Sequence, residues 1–172
     1  MIDSQDHVLT FWFEETTPPQ WFQVNPDFDT LIKERFLDIY EKGRAGILDD
    51  WRQDADGCLA LCLVLDQFPR NMFRGTPQAF ATDSKALVVS KYAVAKGFDQ
   101  VLPPVKRRFL YLSYEHSENL NDQAKTSFSW GFSFGSGKLY TIDASVKSRK
   151  VVGERVNQFD LSLVLPLPSS NG

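Results

Sequence analysis

The chain has 172 residues and a mass of 19.6 kDa, a length that suits one domain with a sizeable core. Hydrophobic residues make up 42% and charged residues 24%, ordinary proportions for a globular protein. A net charge of −3 and a pI near 5.4 argue against nucleic acid or an anionic membrane as the main partner.

No stretch approaches the roughly 20 apolar residues needed to span a bilayer. The opening Met1-Ile2-Asp3-Ser4-Gln5-Asp6 is acidic where a signal peptide would be basic. A cytoplasmic protein is therefore expected. The residues from about Asp6 to Phe13 are short and apolar-rich, and Pro18-Pro19 ends any continuation. Trp21 and Phe22 then read as a plug against a neighbouring helix. Asn25-Pro26 is a helix start, an N-cap side chain followed by proline at the first helical position. Phe28, Leu31, Ile32, Phe36, Ile39 and Tyr40 follow at spacings of three and four, one wide amphipathic stripe. Gly43 is the expected left-handed stop.

A third helix is expected from about Asp54 to Gln67. Leu59, Leu61, Leu63, Val64 and Leu65 make it apolar almost all round, which places it centrally. Pro69 is expected to break it, because proline biases the preceding residue away from helix. Cys58 and Cys62 share a face within this run, without a basic neighbour to favour a thiolate, and read as buried, inert thiols. Thr76-Pro77 resembles another helix start. The next helix carries Ala86, Val89, Ser90 and Ala93 and stops at Gly97. Pro103-Pro104 begins one with Val105, Phe109 and Leu112 that runs towards His116. Short glycine- and proline-marked connections predict an all-α fold of antiparallel helical hairpins. No 34-residue internal repeat is visible, so any solenoid character is irregular.

Polar residues concentrate where the third helix is expected to stop, in Leu65-Asp66-Gln67-Phe68-Pro69-Arg70-Asn71 and the following Phe73-Arg74-Gly75. Arg70 and Arg74 near Asp66 can make charge-assisted pairs that clamp a helix end, or can grip a phosphate or carboxylate. Gln67 reads as a bridge between helices, as does Gln123. Asn71 is most simply a turn residue. A second group is His116, Glu118 and Asp122, with Glu115 beside it. On a continuing helix Glu118 and Asp122 share a face, either an ordinary paired surface or an acid–base or metal site with His116. The spacing is not a zinc signature. Asp83 reads as an N-cap. The aromatics Trp12, Phe13, Trp21, Phe22, Trp51, Phe68 and Phe73 are core residues or, in the sharper reading, a ligand cage. There is no phosphate-binding glycine loop, no serine nucleophile elbow and no cysteine–histidine metal cluster, so no cofactor is implied.

The opening Val8-Leu9-Thr10-Phe11-Trp12-Phe13, Trp21-Phe22, the Leu65–Asn71 run, Phe73-Arg74-Gly75, Phe80-Ala81-Thr82-Asp83 and His116-Ser117-Glu118 with Asp122-Gln123 occur in order. Together they resemble the bacterial domain-of-unknown-function family numbered 924, over roughly residues 8 to 124. The resemblance implies a tetratricopeptide-like helical fold and brings no activity. It also implies a later motif similar to Gly-Arg-Phe-Pro-His-Arg-Asn, which this chain lacks.

From Lys125 the texture changes. Phe128, Trp130, Phe132 and Phe134 alternate with small residues, a strand-like period of two. Leu161 to Pro168 is apolar, with prolines that forbid a normal helix. A helical domain over 1–124 and an atypical segment over 125–172 are expected. For that segment a shifted reading frame, a divergent folded extension and a disordered tail all remain open. Three functional readings follow. One is a helical scaffold or binding module whose partner is a peptide, a protein or a small anionic ligand, held near Asp66, Gln67, Arg70, Asn71 and Arg74. A second is a small-molecule hydrolase or related enzyme with His116 or Glu118 as general base and Arg70 as stabiliser. A third is a truncated product without activity.

Overall fold

The Ser4 hydroxyl accepts the His7 amide at 3.1 Å and starts α1, Gln5–Thr10, which runs on through a π-helical turn at Phe11–Glu15. The computed structural model describes residues 4–123, together with the backbone of 130–134, 138–142 and 165–166. Over 4–123 every regular element is helical, and the fold is all-α. Among the described residues no helix is long and apolar enough to cross a membrane.

The starts at Asn25-Pro26 and Pro103-Pro104 act as expected, because they depend on neighbours in sequence. Thr76-Pro77 opens only a short 3-10 turn, Pro77–Phe80. Pro18-Pro19, expected only to end a helix, also begins one. Thr17 and Gln20 form a capping box at α2, Pro18–Phe22. Asn25 Oδ1 accepts the amides of Asp27 and Phe28 at 3.0 and 3.1 Å and opens α3, Pro26–Ala45. Phe28, Ile32, Phe36, Ile39 and Tyr40 are buried, whereas Leu31 at the edge of the stripe is 45% exposed. Gly43 does not stop this helix; Gly46 does, with φ +82°. Gly43 lies within α3 where it crosses the central helix. A Cβ there would stand 3.3 Å from Val64 Cγ1. The glycine serves close packing rather than a turn.

The central helix begins at the Asp54 cap as α4, Ala55–Cys62. It continues through a second π-helical turn, Leu63–Gln67, into α5, Phe68–Met72. Pro69 therefore does not break it. The π turn lets the Phe68 amide bond the Leu63 carbonyl, five residues back. Pro69 has no N–H for the Leu65 carbonyl, and the Thr82 hydroxyl supplies that donor at 2.6 Å. Thr82 precedes α6, Asp83–Ala95, and this bond takes the hydroxyl away from capping. Asp83 is the first helical residue and not the N-cap, its carboxylate turned to Arg70.

Gly97, at φ +73°, separates α6 from α7, Phe98–Val101, and α8 runs from Pro104 to Glu115. The helix does not continue to Asp122: His116 is its C-cap, and α9 is Leu120–Gln123. The central α4 packs on α1, α6 and α8. Trp12 is fully buried, with Phe68 and Phe109 at ring separations of 5.6 and 5.7 Å. Trp21 stacks on Trp12 at 6.1 Å, so the expected plug is real; Trp12 and Phe68 are core, and Phe13, Trp21, Phe22, Trp51 and Phe73 pack against it partly buried. Cys58 and Cys62 are buried free thiols. Burial pushes both up, Cys58 to about 11.

The alternating aromatic run falls partly on β1, Trp130–Phe134, antiparallel to β2, Lys138–Ile142, with Phe132 opposite Tyr140. A short β3, Leu165–Pro166, pairs with β2. Phe128, the boundary at 124–125 and most of 125–172 lie outside the described residues.

Candidate functional site

The helix that passes through Pro69 lines one side of a cleft of about 710 Å³. Its π turn offsets the side chains of Asp66 and Gln67 and is followed directly by Arg70, Asn71 and Arg74. Trp21 and Phe22 of α2 form part of the wall, with Phe80, Leu112 and His116 completing it. A cavity of this size, with apolar walls and a few polar groups, suits a small ligand.

Asp66 is the buried centre of the polar network, with no exposed surface. Its Oδ1 is 2.8 Å from His116 Nδ1 and 3.2 Å from an Arg70 nitrogen, while Oδ2 accepts the Gln67 amide at 2.6 Å. Burial alone would raise its pKa. The charge and hydrogen bond of His116, with Arg70 and Gln67, outweigh burial and hold the carboxyl below its ordinary range. An ionised carboxylate only accepts, so His116 Nδ1 carries the proton and Nε2 is the nitrogen left for the cleft.

Arg70 makes a two-pronged pair with Asp83 at 2.9 and 3.1 Å. It also donates to the carbonyls of Asp66 and Ala79 and lies over the Phe80 ring at 5.2 Å. Arg74 makes the equivalent pair with Asp29 of α3, at 2.6 and 2.8 Å. Asn71 is not a turn residue: it lies in α5 and donates to the same Asp29 at 2.8 Å. Both arginines thus line the cleft with carboxylates already in place, the geometry of clamps between α5 and its neighbours. Gln67 bonds its sequence neighbour Asp66, and Gln123 donates to the Ser117 carbonyl at 2.7 Å.

The second predicted group does not converge. Asp122 pairs with Lys91 at 2.8 Å and accepts the Ser117 hydroxyl at 3.0 Å. Glu118 is exposed and lines a smaller cavity of about 280 Å³ whose wall also includes His116 and Phe80. Glu115 is raised by burial, opposed in part by Arg108 and His116. Among the described residues no three His, Cys, Asp or Glu side chains are grouped to hold a metal ion.

The structure therefore brings Gln67, Arg70, Asn71, Arg74 and His116 to one cleft, with Asp66 buried behind them, and leaves Glu118 at its neighbour. Asp29 and Thr82 were not anticipated. Asp29 is an unremarkable acid in the first turns of α3, and nothing in its spacing points to a partner 45 residues away. Asp83 and Phe80 carried a signal, since both fall in the Phe80–Asp83 segment that joins the resemblance.

A family model described as bacterial protein of unknown function, DUF924, matches residues 8–131. The chain is also similar to a solved structure, the protein of unknown function ATU0120 from Agrobacterium tumefaciens. The two share 36% identity with a TM-score of 0.68, covering 70% of this chain and 68% of that one. No curated protein matches.

Proposed function

Because the chain belongs to the bacterial DUF924 family, whose description assigns no activity, we propose its role from the site itself. The protein is a small-molecule enzyme of hydrolytic or proton-transfer type, with His116 as general base and Asp66 as the carboxylate that orients it. One observation carries this reading. His116 Nδ1 is tied to buried Asp66 at 2.8 Å, and Nε2 has no partner among the described residues at the wall of a ligand-sized cleft. A base held by a carboxylate keeps one tautomer and one ring orientation, and the imidazolium formed on proton uptake is stabilised.

No hydroxyl or thiol is hydrogen-bonded to His116 among the described residues. In a hydrolysis, water is then the nucleophile. Its oxygen attacks the electrophilic carbon as its proton passes to Nε2, and that proton returns to the leaving group. Arg70 supports the dyad indirectly, by holding Asp66 in place. Two buried free thiols suit a reducing compartment and support placement in the cytoplasm. The pairwise packing of α4 with α6, and α6 with α8, supports reading the helices as irregular tetratricopeptide-like hairpins.

The lack of a side-chain nucleophile beside His116 favours a second reading, a module that binds a small molecule or peptide in the same cleft without turnover. A panel of activated esters, amides and related small substrates separates the two. The enzyme reading expects turnover that falls about 10²–10⁴-fold in His116→Ala while the unfolding curve is retained. Turnover equal in wild type and His116→Ala would end it, and a silent panel with saturable binding would leave the binding module.

A further inference from the structure

The arginines draw the eye to an anion, but the hydrogen bonds point the other way. Gln67 and Asn71 are 7% and 6% exposed, and both line the cleft. Each directs its NH2 group at a carboxylate, Gln67 to Asp66 at 2.6 Å and Asn71 to Asp29 at 2.8 Å. A carboxylate offers no proton, so neither amide can turn round without setting oxygen against oxygen. The orientation is forced, and it leaves Gln67 Oε1 and Asn71 Oδ1 without a partner among the described residues. His116 is held in the same way, with Nδ1 on Asp66 and Nε2 left without a partner among the described residues.

The cleft thus offers two oxygen acceptors on largely buried side chains, beside arginines most of whose nitrogens are engaged; Arg70 Nε is buried without a partner among the described residues. Arg70 is held by Asp66 and Asp83, and Arg74 by Asp29. Asp29, Asp66 and Asp83 are three carboxylates against the two guanidiniums of Arg70 and Arg74, one more negative than positive charge among these side chains. An anion would meet that charge and the carboxylates already seated on both arginines. A group rich in N–H donors would meet acceptors.

We infer that the cleft binds the amidine, guanidine or ammonium end of a small molecule, with the side-chain oxygens of Gln67 and Asn71 as its specificity-determining acceptors. This deepens the proposed function and rests on the Asp66–His116 arrangement, since the substrate's N–H groups would be read beside the base.

Benzamidinium, benzamide and benzoate share a ring and nearly one shape, and differ in donors and charge. Calorimetric titration of each into the full chain at pH 7.5 is the test. Benzamidinium should bind about tenfold or more tighter than benzoate, with benzamide between them. Asn71→Leu should remove most of that preference, and Gln67→Met provides a second variant if Asn71→Leu is poorly folded. Equal or tighter binding of benzoate overturns the inference, and so does no binding of any of the three. Benzamidinium bound normally by a His116→Ala protein that also keeps its turnover removes the general base and retains the ligand class. Loss of turnover in that variant alongside a benzoate preference does the reverse.

Discussion

The Thr82 hydroxyl donates to the Leu65 carbonyl at 2.6 Å, filling the place that Pro69 leaves without an N–H. This bond, made across 17 residues, lets a proline sit inside the central helix. Thr82→Val keeps the shape and removes the donor, leaving a buried carbonyl unsatisfied. The expected loss is about 1–3 kcal/mol in urea unfolding, with Thr82→Ser close to wild type. A Thr82→Val protein as stable as wild type would show that the carbonyl finds another donor.

Arg70 and Arg74 make similar two-pronged pairs but differ in exposure, 16% against 39% of the side chain. Arg70→Ala would strand Asp66 and Asp83 in a poorly solvated site, at about 3–5 kcal/mol. Arg74→Ala is expected to cost about 1 kcal/mol, because solvent screens its pair. Chemical unfolding of the two variants side by side is the check, and equal losses would contradict the role of burial.

Gly57 faces the Trp51 carbonyl so closely that an added Cβ would lie 1.8 Å from its oxygen. Backbone has to move to make room. Gly57→Ala is expected to destabilise by about 3 kcal/mol or more, read from its denaturation midpoint. A change below about 0.5 kcal/mol would mean that the turn at Asp49–Gln53 yields freely.

Two carboxyl groups beside His116 give opposite pH dependences. Asp66 is held below its ordinary value of 3.8, so the unfolded chain takes up its proton first as the solution is acidified. Its contribution is complete above that value and is lost as pH falls through the folded-state pKa. Glu115 is raised above 4.5, chiefly by burial. The folded state holds its proton longer, so stability falls as pH rises from 4.5 through the raised value. Glu115→Gln should flatten the stability profile above pH 4.5 and leave the acid limb unchanged. Asp66→Asn should do the converse. Urea midpoints between pH 2.5 and 7 decide it, and a Glu115→Gln profile parallel to wild type would count against the buried acid.

The helix starts at Asn25-Pro26 and Pro103-Pro104 were legible because capping and proline geometry act within a turn of chain. The stripe Phe28, Ile32, Phe36, Ile39 and Tyr40 was legible for the same reason, as was the central place of Leu59 to Leu65. Gly43 misled, because glycine is selected both for left-handed turns and for close helix crossings, and only the position of Val64 distinguishes them.

By itself, the sequence determined that this is an all-α chain, where most of its helices begin and where its unusual cluster of polar residues lies. Those properties follow from local propensity and periodicity. Only the tertiary structure decided that Pro69 lies inside a helix, that Asp29 and Asp83 occupy the arginines and that Asp66 meets His116 across 50 residues. Each depends on a hydrogen-bond partner brought in from a distant segment. Side-chain pairing of that kind leaves no periodic trace in the chain, and it turned two apparent anion-binding arginines into clamps around a set of acceptors.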